Sequence, residues 1–205
     1  MMSSLTNYNK IEFQKRKVPR KVTPKSIENA ALYYLQRFSS SSENFRRVMM
    51  RRVKRSAQYH NTNLKEGAEI VDELISRFTR VGLLDDLQFA KNRVASLRRR
   101  GLSERAIRAK LMEKGVVLEV INQSLELLEY DNKNSELSAA IIYSRKRCLG
   151  IFRKTSYGSN RFREKDMAKL ARAGFNYRIA YIVINAETTE ELEEMVENNI
   201  SGQYK

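Results

Sequence analysis

The sequence contains one cysteine, one histidine, two prolines, eight glycines and no tryptophan in 205 residues. A lone cysteine excludes an internal disulfide and points to a reducing compartment. One histidine and one cysteine fall short of the Cys and His ligands of a structural zinc site. No glycine-rich phosphate loop or Walker spacing occurs either. Scarce proline and glycine, beside abundant Leu, Ala, Glu, Lys and Arg, leave the chain free to be helical. Strand signals are weak: only Arg178–Asn185 has strong β-propensity, and its 3–4 apolar spacing still favours a helix. No apolar run approaches the ~20 residues that span a bilayer. The opening Met-Met-Ser-Ser-Leu-Thr-Asn-Tyr-Asn lacks the apolar core of a secretory signal, so no membrane contact and a cytoplasmic location are expected.

Positive charge dominates what is present. Lys and Arg number 39 against 24 Asp and Glu, a net of +15. Residues 187–205 hold six acids (Glu187, Glu190, Glu191, Glu193, Glu194, Glu197) and one base, so residues 1–186 carry +20. Confining that much like charge to a folded body costs stability through self-repulsion, and a polyanion relieves it. Nucleic acid or a nucleoprotein is the first candidate partner. The 41% hydrophobic content, with ten Tyr and eight Phe, is enough to build a core.

The apolar residues recur at helical spacing in short segments separated by stops. Residues 1–22 are polar and basic (Lys10, Lys15, Arg16, Lys17, Arg20, Lys21) and read as a flexible arm. Thr23-Pro24 opens a helix with Ile27, Ala30, Ala31, Tyr34, Leu35 and Phe38 on one stripe. Ser40 and Glu43 have capping-box spacing for a second helix with Phe45, Val48, Met49 and Val53 inward, and Gln58–Asn61, holding His60, reads as a loop. A third helix carries Ile70, Leu74, Ile75, Phe78 and Val81 and stops at Gly82.

The cycle then restarts. Asp85 and Gln88 cap a helix with Phe89, Ala90, Val94 and Leu97 that ends at Gly101. Ser103 caps a short helix with Ile107 and Leu111, closed by Gly115, and a third bears Leu118, Ile121, Leu125 and Leu128. A looser third cycle puts Leu137, Ala140, Ile141, Ser144 and Cys148 on one stripe, the thiol inward as a small filler. After an irregular stretch over 149–160 come Met167, Leu170 and Ala171 before Gly174, then Tyr177, Ala180, Tyr181 and Ile184. Thr188 and Glu191 cap an acidic terminal helix without a strong apolar stripe.

Three cycles of helix, short helix and helix, about 50–60 residues each, predict an all-α fold: an elongated, curved array of three tandem three-helix repeats. The expected parts are a basic arm over 1–22, repeats over 23–82, 83–131 and 132–186, and an acidic helix or tail over 187–205.

The adjacent acids Asp85 and Asp86 make a poor magnesium site, since capping accounts for Asp85 and no third acid is near in sequence. No catalytic residue, metal ligand or cofactor is assigned, and a non-enzyme is expected. A nuclease would need a carboxylate cluster that the sequence does not offer. The basic clusters carry the functional reading. Arg47, Arg51 and Lys54 fall at i, i+4, i+7 opposite the apolar face of the second helix, flanked by Arg46, Arg52 and Arg55. Counterparts are Lys91 and Arg98 with Arg99 and Arg100, then Arg105 and Arg108, then Arg145, Lys146 and Arg147, and finally Arg161, Arg163, Lys165, Lys169 and Arg172. Any one cluster is as readily an ordinary solvated face. Their recurrence from repeat to repeat is what argues for one basic surface, which would hold a phosphate backbone without reading bases.

The most specific stretch is Gly82–Ala90 (GLLDDLQFA), leading through Arg98-Arg99-Arg100-Gly101 to Ser103–Leu111 (SERAIRAKL) and Lys114-Gly115-Val116. It resembles the central repeat of the RecX family of bacterial recombinase regulators. Ala30–Leu35 (AALYYL) with Ser42–Arg47 (SENFRR) resembles the family's opening, and Lys169–Phe175 (KLARAGF) its third repeat. The resemblance spans residues 24–186 and implies three tandem three-helix repeats. It also implies binding in the groove of the RecA–DNA filament, and inhibition of RecA's recombinase, ATPase and co-protease activities in the SOS response. A weaker affinity for single- and double-stranded DNA belongs to the same picture, and a monomer is expected. Repeat 1 departs from the pattern, lacking the glycine that closes the second helix in repeats 2 and 3. The alternative reading is a sequence-non-specific DNA-binding protein acting independently of RecA.

Overall fold

Thr23, Ser41, Asn63, Asp85, Ser103 and Asn176 each accept a hydrogen bond from a backbone N–H two or three residues further on. Such caps satisfy donors that a helix start otherwise leaves bare, and they set where the chain turns helical. A computed structural model describes residues 18–129, 136–153 and 160–201. Its helices are α1 (Pro24–Leu35), α2 (Ser42–His60), α3 (Leu64–Arg80), α4 (Asp86–Arg99), α5 (Glu104–Glu113), α6 (Leu118–Glu129), α7 (Glu136–Arg147), α8 (Asn160–Arg172), α9 (Tyr177–Asn185) and α10 (Thr189–Ser201). A 3-10 turn at Gly150–Phe152 follows α7, and there is no strand among the described residues. The β-prone segment Arg178–Asn185 is helical, as its spacing requires.

The buried side chains fall into three clusters. Ile27, Phe45, Met49, Val53, Val71, Leu74 and Phe78 from α1–α3 form the first. Val94, Leu97, Ile107, Leu111, Ile121 and Leu125 from α4–α6 form the second. The third gathers Leu137, Ala140, Leu170, Val183 and Ile184 from α7–α9, and adds Leu192 of α10 with Met195 and Val196 packed against it. The acidic terminal helix therefore has an apolar face after all. Among the described side chains its three inward residues are too short a run to stand out against the helix's five glutamates.

Several expectations shift by a residue or a face. The cap of α2 is Ser41, while Ser40 lies buried and accepts a hydrogen bond from the Asn44 side chain. Gln58–His60 is not a loop: α2 runs through His60 and ends at Asn61. Val71, which the spacing did not single out, is fully buried, and Ile70 and Ile75 are half-buried beside it. Phe38, Val81, Leu118, Tyr177 and Tyr181 are more than half exposed, and Ala171 is exposed too. Most of these sit in the end turns of short helices or just beyond them, where no neighbour covers a continued stripe. Within the expected arm, Val22 donates its N–H to Ser56 Oγ at 2.9 Å and the Pro19 carbonyl lies 2.7 Å from His60 Nε2, so residues 18–22 line α2. Residues 1–17, the remainder of that arm, lie outside the described residues, as do the 130–135 junction, 154–159 and the last residues, 202–205.

The helix stops explain how the first unit manages without its glycine. Gly115 ends α5 at φ 75, and Val116 N–H returns to the Leu111 carbonyl at 3.1 Å, closing the helix. At the corresponding end of α2 stands Asn61, at φ 52. Asparagine is among the few other residues that adopt this left-handed geometry readily. Cys148 does the same for α7, at φ 52 and exposed, with Leu149 N–H bonded to the Ser144 carbonyl at 3.0 Å. Cys148 thus ends the helix through its backbone, and its exposed thiol is not the core filler the stripe suggested.

The units join through one repeated contact. Ser41, the cap of α2, donates its hydroxyl to the Lys114 carbonyl at the end of α5. Ser103, the cap of α5, donates to the Ala173 carbonyl at the end of α8, at 2.6 Å. Beside each serine, the first residue of its helix is held by a carboxylate from the next unit: Ser42 N–H by Asp86 at 2.7 Å, and Glu104 N–H by Glu136 at 3.1 Å. Asp86 and Glu136 are the first residues of α4 and α7. Asp86, left without a role by its neighbour's capping, thus joins the first unit to the second. In the third unit the buried Asp166 holds α8 to the end of α7, accepting from Gly150 N–H at 3.1 Å, Arg153 Nη2 at 2.6 Å and Lys169 Nζ at 3.2 Å. Burial pushes its carboxyl up, but the bonds from Arg153, Gly150 and Lys169 outweigh this and hold it below the ordinary 3.8.

Two predictions follow from these contacts. A Cβ on Gly115 would lie 2.6 Å from Glu43 Cβ, whereas one on Gly82, at nearly the same φ, meets nothing within 4 Å. Gly82→Ala should cost only the left-handed strain, about 1–2 kcal/mol. Gly115→Ala should lower the thermal midpoint by clearly more, read by circular dichroism. For Asp166 the depressed carboxyl contributes stability above the ordinary value and loses it as pH falls through the folded value. Denaturant unfolding at neutral pH should show Asp166→Asn destabilised, by about 3–5 kcal/mol if the pair behaves as buried pairs do. The gap from the parent should narrow in acid; a gap independent of pH would remove this carboxylate from the acid limb.

Candidate nucleic-acid interface

The serine joints set the N-terminus of α2 on the end of α5, and the N-terminus of α5 on the end of α8. The three middle helices therefore abut end to end, a positive helix start meeting a negative helix end at each joint. They have 19, 10 and 13 residues, so at 1.5 Å per residue their contour is about 60 Å. The exposed faces of this row carry Arg51 and Lys54 on α2, Arg105 on α5, and Arg163, Lys165, Lys169 and Arg172 on α8.

The other expected cations divide between this surface and the framework. Arg52, Arg55, Arg99, Arg100, Lys146 and Arg147 are exposed, and Lys91 is half-buried. Lys146 Nζ donates to the Arg100 carbonyl at 3.0 Å, which ties α7 to the end of α4. Arg145 lies over the Phe152 ring at 5.3 Å and 3.7 Å from Glu193, and Arg147 lies over Tyr143 at 5.9 Å. Arg46 is paired with Asp72 through two bonds, at 2.6 and 3.0 Å. That pairing raises the guanidinium's proton affinity and holds the Asp72 carboxyl below its ordinary value. Arg47 spans the first joint, bonding Glu43 at 2.9 Å and the Glu113 carbonyl at 2.8 Å. Arg108 is held by Glu104 and Asn122. The side chain of Arg161 lies outside the described residues.

Arg98 does not belong to the basic surface. It is 3% exposed, paired with Glu136 and bonded to the Leu102 carbonyl at 3.3 Å. Glu136 thus answers both the Arg98 charge and the bare N–H at the start of α5. A triplet of arginines in a last turn conceals which one turns inward, because the deciding carboxylate lies 38 residues away.

A second basic feature escaped the periodicity. Residues 18–22, the outer face of α1 and the end of α2 enclose an open trough of about 1190 Å3. Arg20, Lys25, Arg52 and Arg55 line it together with Tyr33 and Tyr59. Arg52, Arg55 and Tyr59 stand at i, i+3 and i+7 on α2, so that spacing was legible. The contribution of Arg20 was not, because residues 18–22 read as loose arm. Among the described residues no group of three His, Cys, Asp or Glu side chains is placed to hold a metal ion, and no helix is long and apolar enough to cross a membrane.

Comparison with known proteins places this architecture. A family model described as RecX, second three-helix domain, matches residues 85–125, the span of α4, α5 and most of α6. The regulatory protein RecX of Myxococcus xanthus is 41% identical over 170 residues, covering 83% of this chain and 90% of its own length. The chain belongs to the RecX family. Regulatory protein RecX of Agrobacterium fabrum is 29% identical over 168 residues, 82% of this RecX-family chain and 86% of that protein. Regulatory protein RecX of Mycolicibacterium vanbaalenii is 30% identical over 150 residues, 72% and 82% of the two lengths. No solved structure matches the chain.

The split between framework and surface arginines can be measured. Arg98→Ala deletes a buried guanidinium and leaves the half-buried Glu136 without its cation, and should cost about 3 kcal/mol in denaturant unfolding. Arg99→Glu with Arg100→Glu should cost under about 1 kcal/mol, since both are exposed. Equal losses in the two variants would contradict the assignment.

Proposed function

We propose that this RecX-family chain binds in the groove of the RecA–DNA filament and restrains the recombinase, ATPase and co-protease activities of RecA. It acts as a monomer in the cytoplasm, by occupancy and without chemistry of its own. The observation that carries the reading is the row of middle helices, whose exposed Arg51, Lys54, Arg105, Arg163 and Arg172 recur unit by unit. A contour of about 60 Å with cations along it suits a long polyanion better than one compact duplex site. If six to ten phosphates are neutralised, log affinity for bare DNA falls by about 0.9 per phosphate for each decade of salt. Direct binding to single- and double-stranded DNA is the weaker part of the same activity. A DNA-binding protein independent of RecA is the second reading, and the Arg- and Tyr-lined trough of the first unit favours it.

Arg51→Glu with Lys54→Glu is the cleaner charge reversal, because Arg47 is a joint residue whose loss would loosen the array. The wild-type protein at substoichiometric ratio should suppress the single-stranded-DNA-dependent ATPase of RecA and its strand exchange. The double variant should need at least about tenfold more protein for the same effect, with unaltered helical circular dichroism. Full RecA activity at equimolar wild-type protein would reject the proposal.

A further inference from the structure

We infer that the trough between α1, α2 and residues 18–22 is a site for single-stranded nucleic acid. In it Tyr59 and Tyr33 serve as platforms for unpaired bases, and Arg52, Arg55, Arg20 and Lys25 hold the phosphodiester backbone. The inference rests on the direct nucleic-acid binding proposed above and adds to it a site and a preference for the unpaired strand.

The first support is charge. Four cations and no carboxylate line the trough, and none of the four is in an ion pair among the described residues. Arg55 Nε leans on the Arg51 carbonyl at 3.3 Å, which steadies the guanidinium without neutralising it. Unneutralised cations gathered in a concavity focus a positive potential that a phosphate chain answers. Size is the second support. Pockets that enclose small molecules run to about 300–1,000 Å3; this open trough, at about 1190 Å3, has room for several linked nucleotides.

The tyrosines decide between polyanions. An acidic peptide or an anionic lipid surface needs only the cations. Tyr33 and Tyr59 are 61% and 57% exposed, and the adjoining core does not need them. Each is braced: Arg37 lies 5.4 Å from the Tyr33 ring centroid and donates to its hydroxyl at 2.6 Å. Tyr59 meets the His60 ring edge-on at 4.9 Å, and His60 is itself tied to Pro19. A braced ring has less rotamer freedom to lose when a base stacks on it. Duplex DNA keeps its base faces covered, so stacking platforms select an unpaired strand, and they do so without regard to sequence.

The test uses the full chain and fluorescence anisotropy with three labelled probes: an oligonucleotide, its duplex and polyglutamate. Tyr59→Ala should weaken oligonucleotide binding roughly five- to hundredfold, Tyr59→Phe should restore it, and duplex binding should hold in both. Arg52→Glu with Arg55→Glu should also lose oligonucleotide binding, which keeps the test open if Tyr59→Ala melts early. Unchanged oligonucleotide affinity in Tyr59→Ala, an equal loss on the duplex, or polyglutamate binding as tight as the oligonucleotide's would each overturn the inference. RecA ATPase measured alongside separates the two ideas. Wild-type protein that binds the oligonucleotide but spares RecA leaves the trough assignment standing and rejects only the filament reading.

Discussion

Ser41 and Ser103 each do two things with one hydroxyl oxygen. As an acceptor it caps the helix that follows, and as a donor it reaches the last carbonyls of the corresponding helix in the next unit. Both serines are fully buried, so an unmade bond there would carry the full desolvation penalty of the group, about 1–3 kcal/mol. The carboxylates of Asp86 and Glu136 complete the contact by holding the adjoining helix starts. This small polar joint, used twice, fixes how each three-helix unit sits on the next. It also fixes the order of the three middle helices and with it the course of the basic surface.

The rest of the architecture is consistent with that constraint. Each unit closes a hydrophobic cluster of its own, and the directional bonds of the joints set the register between one unit and the next. Arg47 and Arg98 are drawn into the two joints, which leaves a positive surface with fewer free cations than composition alone implies. In arrays of this kind stability is close to a sum of unit and neighbour terms.

Much of this was legible in the sequence, and the misreadings share a cause. Periodicity placed the helices, and capping serines and glycines placed most of their ends, because those signals are local. Long-range partners were invisible. Arg98 reads like Arg99 and Arg100 until Glu136 is brought beside it, and Asp86 has no role until Ser42 arrives. Left-handed helix ends at Asn61 and Cys148 were missed because glycine is the usual marker there. The trough was missed because it is built from three segments, one of them read as arm. Residues matching the RecX family carried the identity, while composition alone carried only the anionic character of the partner.

A basic array with a built register accounts for a regulator whose proposed target is itself a repeating nucleoprotein. On that account the protein should prefer the assembled filament to its DNA, since a row of spaced cations gains most from a partner of matching extent. The most direct measurement is a competition binding assay between bare single-stranded DNA and the same DNA coated with RecA, at one salt concentration. The account predicts that the labelled protein partitions to the coated strand by at least about tenfold, a difference of about 1.4 kcal/mol. Equal partition, or preference for the bare strand, would contradict it.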